Sequence, residues 1–219
     1  MRVSPIVALA AVVGLTACPD PAKDKPKAQV AAAPEAVKPA APKAELPALP
    51  GTPYTFSESG SSIGWVGAKV TATHAGAFQK FSGTIGVVDN EPTKSSVAVS
   101  IVTDSLFTAD SPKLVSHLKS ADFFDVATYP TATFTSTAIT AGGEKGATHT
   151  VTGTLDLHGV KKSITFPATI SVSPEAVTVK AEFALNRKDF NIVYPGKPDD
   201  LIRDEVVLKL DVTAKPKGT

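Results

Sequence analysis

The sequence lacks several features that mark common classes of protein. Its single cysteine, Cys18, excludes an internal disulfide. The formal charge is +1, from 22 basic and 21 acidic residues, so there is no electrostatic signature of binding to nucleic acid or to an anionic membrane. The apolar run at residues 6–15 is well short of the ~20 residues that a membrane-spanning helix needs.

Catalytic motifs are missing as well. The sequence has no nucleophile elbow, no pair of metal ligands at helical spacing, and no glycine loop ahead of a helix that would cradle a phosphate. Asp156 and His158 lie two apart on one strand face without a third ligand nearby, which favours a solvated face over a metal or acid–base pair. We therefore predict a protein without catalytic residues, metal or cofactor.

The first residues are typical of an export signal. One positive charge, Arg2, precedes the apolar run, which is followed by L-T-A-C ending at Cys18. This ending resembles a bacterial lipobox, in which the cysteine thiol accepts a diacylglyceryl group before cleavage; the alternative is a chance cysteine behind an ordinary signal sequence. The sequence thus predicts a signal peptide at residues 1–17 and a lipid anchor on Cys18. The anchor would hold the protein at a bacterial membrane in the cell envelope, in the periplasm or at the outer surface.

Residues 18–53 are rich in alanine, proline and lysine and contain almost no large apolar side chain. Repeated proline breaks helices, and such a composition cannot build a packed core. We predict a disordered tether that spans up to ~3.1 Å per residue where it is polyproline-like. A folded domain is expected over residues 54–215.

The fold prediction depends most on residues 150–172. Apolar residues alternate there with Thr, Ser and charged residues on both sides of a break at Gly159, which indicates two half-buried antiparallel strands joined by a short turn. Similar segments bring the number of strands to about eight, and the first two are predicted to form a hairpin that turns at Gly60 and Ser61. A short helix is predicted at residues 111–119, where Pro112 suits the first helical position. The result is an all-β domain, for which periodicity alone leaves a barrel and a sandwich open.

Five blocks of residues occur in an order typical of one protein family. The blocks are S-I-G-W at 62–65 with His74, Gly76 and F-x-x-F-x-G at 78–83; L-K-S-A-D-F-F-D at 118–125; Y-P-x-A-x-F-x-S at 129–136; G-x-L-x-L-H-G-V-K-K at 153–162; and N-R-x-D-F-x-I at 186–192. Together they resemble the YceI-like proteins, the lipocalin-like polyisoprenoid-binding family. One departure is Asn191, where the family usually has glycine, which leaves the conformation of that turn open.

The resemblance implies an eight-stranded antiparallel lipocalin-like barrel with one short helix and an elongated apolar cavity. It also implies a long-chain amphiphilic lipid as ligand (a polyisoprenoid, an isoprenoid quinone or a fatty-acyl compound), which the protein would bind, transport or store. The expected partners are this lipid and, through the acyl anchor, the membrane; the oligomeric state stays open, a dimer included. The residues expected to bind the ligand are Trp65, His74, Phe78, Phe81, Val99, Ile101, Phe134, Leu155, Phe166, Val179, Phe183 and Leu208.

Other interpretations stay open at this point. The apolar strand residues would equally fill a dry core, and His74 would either contact a ligand head group or satisfy a buried backbone group. His117 is expected at the surface, and Arg187 and Asp189 could form an ion pair at the barrel mouth. For the whole protein, the alternatives are an envelope protein that interacts through its outer surface and an enzyme that acts on a lipid-like substrate in the cavity.

Overall fold

A computed structural model describes residues 18–33 and 46–218. The predicted signal peptide and residues 34–45 of the predicted tether lie outside the described residues. The described elements, in chain order, are β1 (Gln29–Ala32), β2 (Thr52–Ser57), β3 (Ser62–Ala68), β4 (Thr73–Phe78), β5 (Phe81–Val87), β6 (Ser96–Val102), β7 (Leu106–Phe107), α1 (Pro112–Lys119), β8 (Thr131–Ala141), β9 (His149–Leu157), β10 (Val160–Val172), β11 (Val177–Asn186), β12 (Gly196–Lys197), β13 (Asp200–Leu201) and β14 (Glu205–Pro216).

Eight strand positions form a closed antiparallel barrel, as the resemblance implies. β2 continued by β3 supplies the first position and β4 continued by β5 the second, while β6, β8, β9, β10, β11 and β14 supply the other six. β14 closes the ring by pairing with both halves of the first position: Leu208 lies opposite Trp65 in β3, and Lys215 lies opposite Thr55 in β2. Because the strands form one closed sheet, the alternative of a sandwich of two separate sheets is wrong.

The predicted first hairpin is also wrong. β2 and β3 do not pair with each other; each pairs with β14 on one side, and they pair with β5 and β4 respectively on the other. The segment around Gly60 and Ser61 is therefore an interruption within one long strand rather than a reversal of the chain. Glycine and serine between two alternating segments give the same sequence signal for a kink as for a turn, and only the pairing register separates the two.

The two ends of the barrel differ in their connections. One end carries the β3–β4 and β9–β10 turns, the helix-bearing connection from β6 to β8, and the long connection at residues 187–204. We call it the open end. The other end carries the connections from β5 to β6, from β8 to β9 and from β10 to β11, and we call it the closed end.

The β9–β10 hairpin confirms the reading of residues 150–172. Leu157 pairs with Val160, and the two residues between them both have positive φ, 53° at His158 and 72° at Gly159. Two such residues define a type I′ turn, whose twist matches that of the flanking strands. The ring of Tyr129 lies against this turn, with its centroid 4.7 Å from that of His158.

Replacing Gly159 with alanine is expected to destabilise the protein by about 2 kcal/mol, because the new methyl group adds a collision to the cost of a positive φ. A Cβ at Gly159 would lie 2.5 Å from Cε1 of Tyr129. Gly60 is the matched control, since its φ is +99° but a Cβ there meets nothing within 4 Å. Urea unfolding should show a loss of only about 1 kcal/mol for Gly60→Ala, and equal losses for the two variants would contradict the role given to Tyr129.

Helix α1 confirms the helix predicted at residues 111–119. Its first turn is closed by the carbonyl of Ser111, which accepts from the amide of Val115 at 3.1 Å, while the Ser111 hydroxyl makes no capping bond. Leu114 and Leu118 point towards the barrel interior. Packing of this stripe holds so short a helix in place. Within the described residues, no helix has the length and apolarity to cross a membrane.

Residues 18–33, which we call the strap, are ordered against the barrel, so the prediction of a disordered tether is wrong for this part of the chain. In the open-end half, β10 and β11 separate beyond the pair Thr169–Lys180. β1 fills the seam between them: it pairs antiparallel with β10 from Gln29–Thr165 to Ala32–Lys162, and Lys27 bridges to Ala184 of β11 in parallel. The strap supplies a local ninth strand to the wall.

Small apolar residues let the strap pack without a core of its own. Ala22 is fully buried and lies in one cluster with Ala184, Val207 and Val66 on the outside of the barrel. Val30 packs against the interior cluster, as does Ala28. The sequence prediction failed because it required large apolar residues, whereas the barrel supplies the larger part of this interface.

Ion pairs and backbone hydrogen bonds add to this packing. Ala184 donates its amide to Pro26 and accepts from the amide of Ala28, both at 2.8 Å. Lys25 donates to Glu182 at 2.8 Å and, with a smaller contribution from Lys209, holds the pKa of Glu182 below its ordinary value. The strap is therefore tied to β11 through residues 25–28.

Candidate functional site

A cavity of about 560 Å³ occupies the open-end half of the barrel. Its walls are apolar residues from seven of the eight barrel positions, whereas the position formed by β4 and β5 contributes only His74. Its mouth is formed by α1 and by the connections of the open end. The apolar lining residues include Ile63, Trp65, Val99, Ile101, Leu114, Leu118, Phe123, Phe134, Leu155, Phe166, Phe183, Leu185, Ile192, Ile202, Val206, Leu208 and Leu210. At the mouth, lining residues such as Asp110 and Lys197 are exposed, so the cavity reaches the surface.

The interior of the open-end half of the barrel is hollow rather than filled with side chains. Val99, Leu208 and Leu210 stand on the inward phase of their strands, yet each is only partly buried because it borders the empty space. In a close-packed core such residues would be covered on all sides. The alternative of a dry, side-chain-filled interior is therefore wrong for the open-end half.

Phe56, Phe134 and Phe166 divide the lumen into two chambers, and we call them the aromatic partition. All three border both the main cavity and a second cavity of about 80 Å³ in the closed-end half. Two rings rest over glycine: a Cβ at Gly83 would lie 2.0 Å from Phe56, and one at Gly153 would lie 2.4 Å from Phe134. The glycines thus make room for the partition, which forms the floor of the main chamber.

The structure brings most of the predicted ligand-binding residues together, although their role towards a ligand stays a prediction. Val179 borders the small chamber instead of the main one. Phe78 and Phe81 line neither cavity and belong to the packed core, where Phe78 meets Phe124 edge to face at 5.7 Å. The nine that line the main chamber are Trp65, His74, Val99, Ile101, Phe134, Leu155, Phe166, Phe183 and Leu208.

Sequence reasoning missed most of the mouth. Ile192, Tyr194 and Ile202 line it from the irregular connection between β11 and β14, where no periodicity marks an inward face. Phe123 lines it from the segment after α1. The available signals for this part of the site were the apolar stripe of the helix, which supplies Leu114 and Leu118, and the family blocks that contain Phe123 and Ile192.

Two histidines lie at the mouth, each paired with an aspartate. Nδ1 of His74 is 2.8 Å from the carboxylate of Asp110, so this ring satisfies a side chain rather than a buried backbone group. Nε2 of His117 is 2.8 Å from the carboxylate of Asp122. His117 was expected simply at the surface; it borders the cavity and packs edge to face against Tyr194, with ring centroids 5.0 Å apart.

Arg187 organises the long connection at the mouth from a buried position, with 6% of its surface exposed. Its guanidinium donates to the carbonyl of Ile192 at 2.6 Å and to the carbonyl of Arg203 at 3.1 Å. The ion pair expected with Asp189 is wrong: the carboxylate beside Arg187 is that of Asp204, at 3.5 Å. Burial lowers the pKa of Arg187 and Asp204 opposes this, but arginine stays protonated.

A second charged contact joins the neighbouring β3–β4 turn to the same connection. Lys69, at the β3–β4 turn, donates to the carboxylate of Asp200, which also accepts from the amide and hydroxyl of Thr71. The hydrogen bond from Lys69, followed by those from Thr71, lowers the pKa of Asp200. Asn191 closes the turn at the start of the same connection with φ 58°, a left-handed conformation that asparagine tolerates in place of glycine.

Asp156 and His158, for which a solvated strand face was favoured over a metal or acid–base pair, have separate partners. Asp156 lies 3.7 Å from Lys161, while Nδ1 of His158 is 3.1 Å from the carbonyl of Phe190. No group of three potential metal ligands occurs in the part of the chain that the structure describes.

A closed antiparallel barrel with a deep apolar chamber and a polar mouth defines the lipocalin-like class of binding folds. Residues 54–214 match the family described as the YceI-like domain, and the chain belongs to that family.

Curated relatives carry the name UPF0312 protein. One from Pseudomonas putida (strain W619) is 39% identical over 127 residues, which are 55% of this chain and 65% of that protein. Another from Pseudomonas syringae pv. tomato is 37% identical over 144 residues, 63% of this chain and 70% of that protein. The chain thus spans just under two thirds of the length of the first of these relatives.

Solved structures share the barrel. BcnA of Burkholderia cenocepacia superposes with a TM-score of 0.64 at 26% identity, over 72% of this chain and 98% of that one. A polyisoprenoid binding domain from Saccharophagus degradans, implicated in plant cell wall breakdown, gives a TM-score of 0.59 over 75% of this chain and 98% of that one. Its identity of 19% shows likeness of fold alone.

Proposed function

We propose that this protein binds one long-chain amphiphilic lipid in the main chamber and carries or stores it in the bacterial cell envelope. The observation that supports this most is the 560 Å³ apolar hollow with polar side chains at its mouth. Membership of the YceI-like family supports lipid binding in the barrel.

The dimensions favour a chain over a compact ligand. At about 30 Å³ for each water-sized group, the chamber holds roughly 20 methylene-sized groups. Each buried methylene contributes about 0.8 kcal/mol, so affinity grows with chain length. The hydrocarbon chain would rest on the aromatic partition, and the head group would lie near His74 and His117, where charged and hydrogen-bonding side chains meet solvent.

We also propose that Cys18 carries the lipid anchor that its sequence context predicts. The anchor would keep the carrier at the membrane from which an amphiphile is drawn. Intact-mass measurement of the protein purified from membranes should show the added acyl chains, and Cys18→Ser should move the protein to the soluble fraction. An unmodified Cys18 thiol in the mature protein would refute the lipid anchor but not the proposed binding of a lipid in the main chamber.

Filling the chamber should weaken lipid binding. Ala132 is buried, lines the main chamber and stands near the open end of β8. We expect Ala132→Trp to lower the lipid recovered per mole of protein about tenfold, equivalent to about 1.4 kcal/mol. Native mass spectrometry and solvent extraction of the purified protein give the measurement.

Ala138 provides the matched control, because it lies on the same strand but is exposed. Ala138→Trp should keep the lipid content of the unaltered protein. Equal lipid content in both tryptophan variants, or a wild-type protein that carries no lipid in repeated preparations, would contradict binding in the main chamber.

A further inference from the structure

The strap holds Cys18 at the mouth of the cavity. The amide of Cys18 donates to the carbonyl of Val70 at 3.0 Å, in the β3–β4 turn. Arg203, in the neighbouring connection at residues 187–204, donates to the carbonyl of Cys18 and to the carboxylate of Asp20, both at 3.2 Å. The sulfur lies 3.8 Å from the hydroxyl of Thr73. The residue predicted to carry the anchor is thus fixed at the rim of the mouth, by which we mean its edge at the β3–β4 turn and the connection at residues 187–204.

The same rim exposes apolar side chains. Val70 is 40% exposed and Leu201 is 50% exposed, and the amide of Val70 donates to the carbonyl of Leu201 at 3.1 Å. Val193, between two residues that line the mouth, is 59% exposed. The remaining large exposed apolar residues of the described chain, Val102 and Phe107, flank the turn that leads towards α1. Exposed apolar side chains grouped on one face mark sites of interaction with a membrane or a protein.

We propose that the open end of the barrel faces the bilayer and that this rim (Val70, Val193 and Leu201, beside Cys18) is its membrane-docking surface. This inference rests on the lipid anchor proposed above and adds an orientation to it. A free tether over residues 18–53 would let the barrel drift up to roughly 100 Å from the membrane at ~3.1 Å per residue. The strap removes that freedom, because acyl chains attached at Cys18 leave the protein at the rim itself.

The orientation has a consequence for how the ligand moves. With the mouth against the head groups, an amphiphile would pass between the bilayer and the chamber without exposing its full chain to water. The polar groups at the mouth, among them His74 and Asp110, would then lie at the level of the lipid head groups. Carrier loading would be a step that occurs at the membrane surface.

Fluorescence quenching by lipids tests the orientation on the full-length acylated protein. A cysteine introduced at Leu201 or at Glu144 is labelled with an environment-sensitive fluorophore, while Cys18 is blocked by its acyl groups. Glu144 lies in the β8–β9 connection at the closed end, on the order of 30 Å away for strands of this length. The protein is inserted into phosphatidylcholine vesicles in which part of the acyl chains carry nitroxide quenchers.

We expect quenching at position 201 to exceed that at position 144 at least about threefold, because only the rim enters the interface. Adding Ala22→Arg, which displaces the strap, should make the quenching at the two positions similar. Ala31→Arg, at an exposed strap position, should preserve the difference in quenching. Similar quenching at both positions without either change would overturn the orientation.

Mass spectrometry of the same samples separates this inference from the proposed function. Acylated protein with extracted lipid but equal quenching would leave the carrier intact and refute the orientation. Acylated protein with the expected quenching but no extracted lipid would support the orientation and refute the carrier. A free Cys18 thiol would refute the anchor, and the orientation with it.

Discussion

Replacing Ala22 with arginine is expected to detach the strap from the barrel and to lower the melting temperature by roughly 5–10 °C. Ala22 has no exposed surface and is enclosed by Ala184, Val207 and Val66. A guanidinium cannot be desolvated there without a partner, so the strap must lift. The loss is limited to the free energy with which the strap docks, about 2–3 kcal/mol, which corresponds to this shift for a protein of about 200 residues.

Ala31→Arg is the matched control, since it makes the same change at an exposed position of β1. Its melting temperature should stay within about 2 °C of the unaltered protein. Hydrogen exchange distinguishes detachment from general destabilisation, because the amides of Ala28 and Ala184 should lose protection in the Ala22 variant while those of β9 keep theirs. Unchanged protection at Ala28 would show that the strap tolerates the charge and is not held as described.

Replacing Arg187 with leucine is expected to cost about 3–4 kcal/mol, a large effect for a residue at the edge of the barrel. The substitution leaves the carbonyls of Ile192 and Arg203 without the donors that now reach them. Buried carbonyls without partners are costly, so the connection at residues 187–204 should loosen. Because this connection forms one side of the mouth, lipid retention should fall together with stability.

Lys188→Leu is the control for Arg187, as both cations contact Asp204 but Lys188 is half exposed. Chemical denaturation should show a loss below about 1 kcal/mol for the lysine variant. Arg187→Lys should recover only a small part of the loss, since one ammonium cannot replace the fixed fork of donors. If Arg187→Leu were as stable as Lys188→Leu, the buried guanidinium would not organise the mouth.

The regular part of the site could be predicted from sequence because strands place alternate side chains on opposite faces. Period two identified Val99, Phe134, Leu155 and Leu208 as one inward set, and the barrel brings them together around the chamber. The β9–β10 hairpin was equally predictable, since Gly159 punctuates two alternating segments. What periodicity could not tell was whether the inward face is hollow or filled, because that depends on the circumference of the closed sheet.

The irregular part escaped prediction for different reasons. Tyr194 and Ile202 line the mouth from a connection without a repeating pattern, and Arg187 was paired with Asp189 only because the two are close in sequence. Phe78 and Phe81 belong to a matching family block, yet the side chains of both lie in the packed core and not at the chamber. The strap was misjudged because composition describes what a segment can bury by itself, whereas Ala22 is buried by its host.

The seam filled by β1 also bears on how the molecule could associate with copies of itself. If β1 leaves, β10 and β11 each present an unpaired strand edge, and an identical β1 from a neighbouring molecule has the sequence to occupy it. Exchange of this kind would link molecules by domain swapping. By occupying the seam, β1 therefore keeps these two strand edges from pairing with a neighbouring molecule.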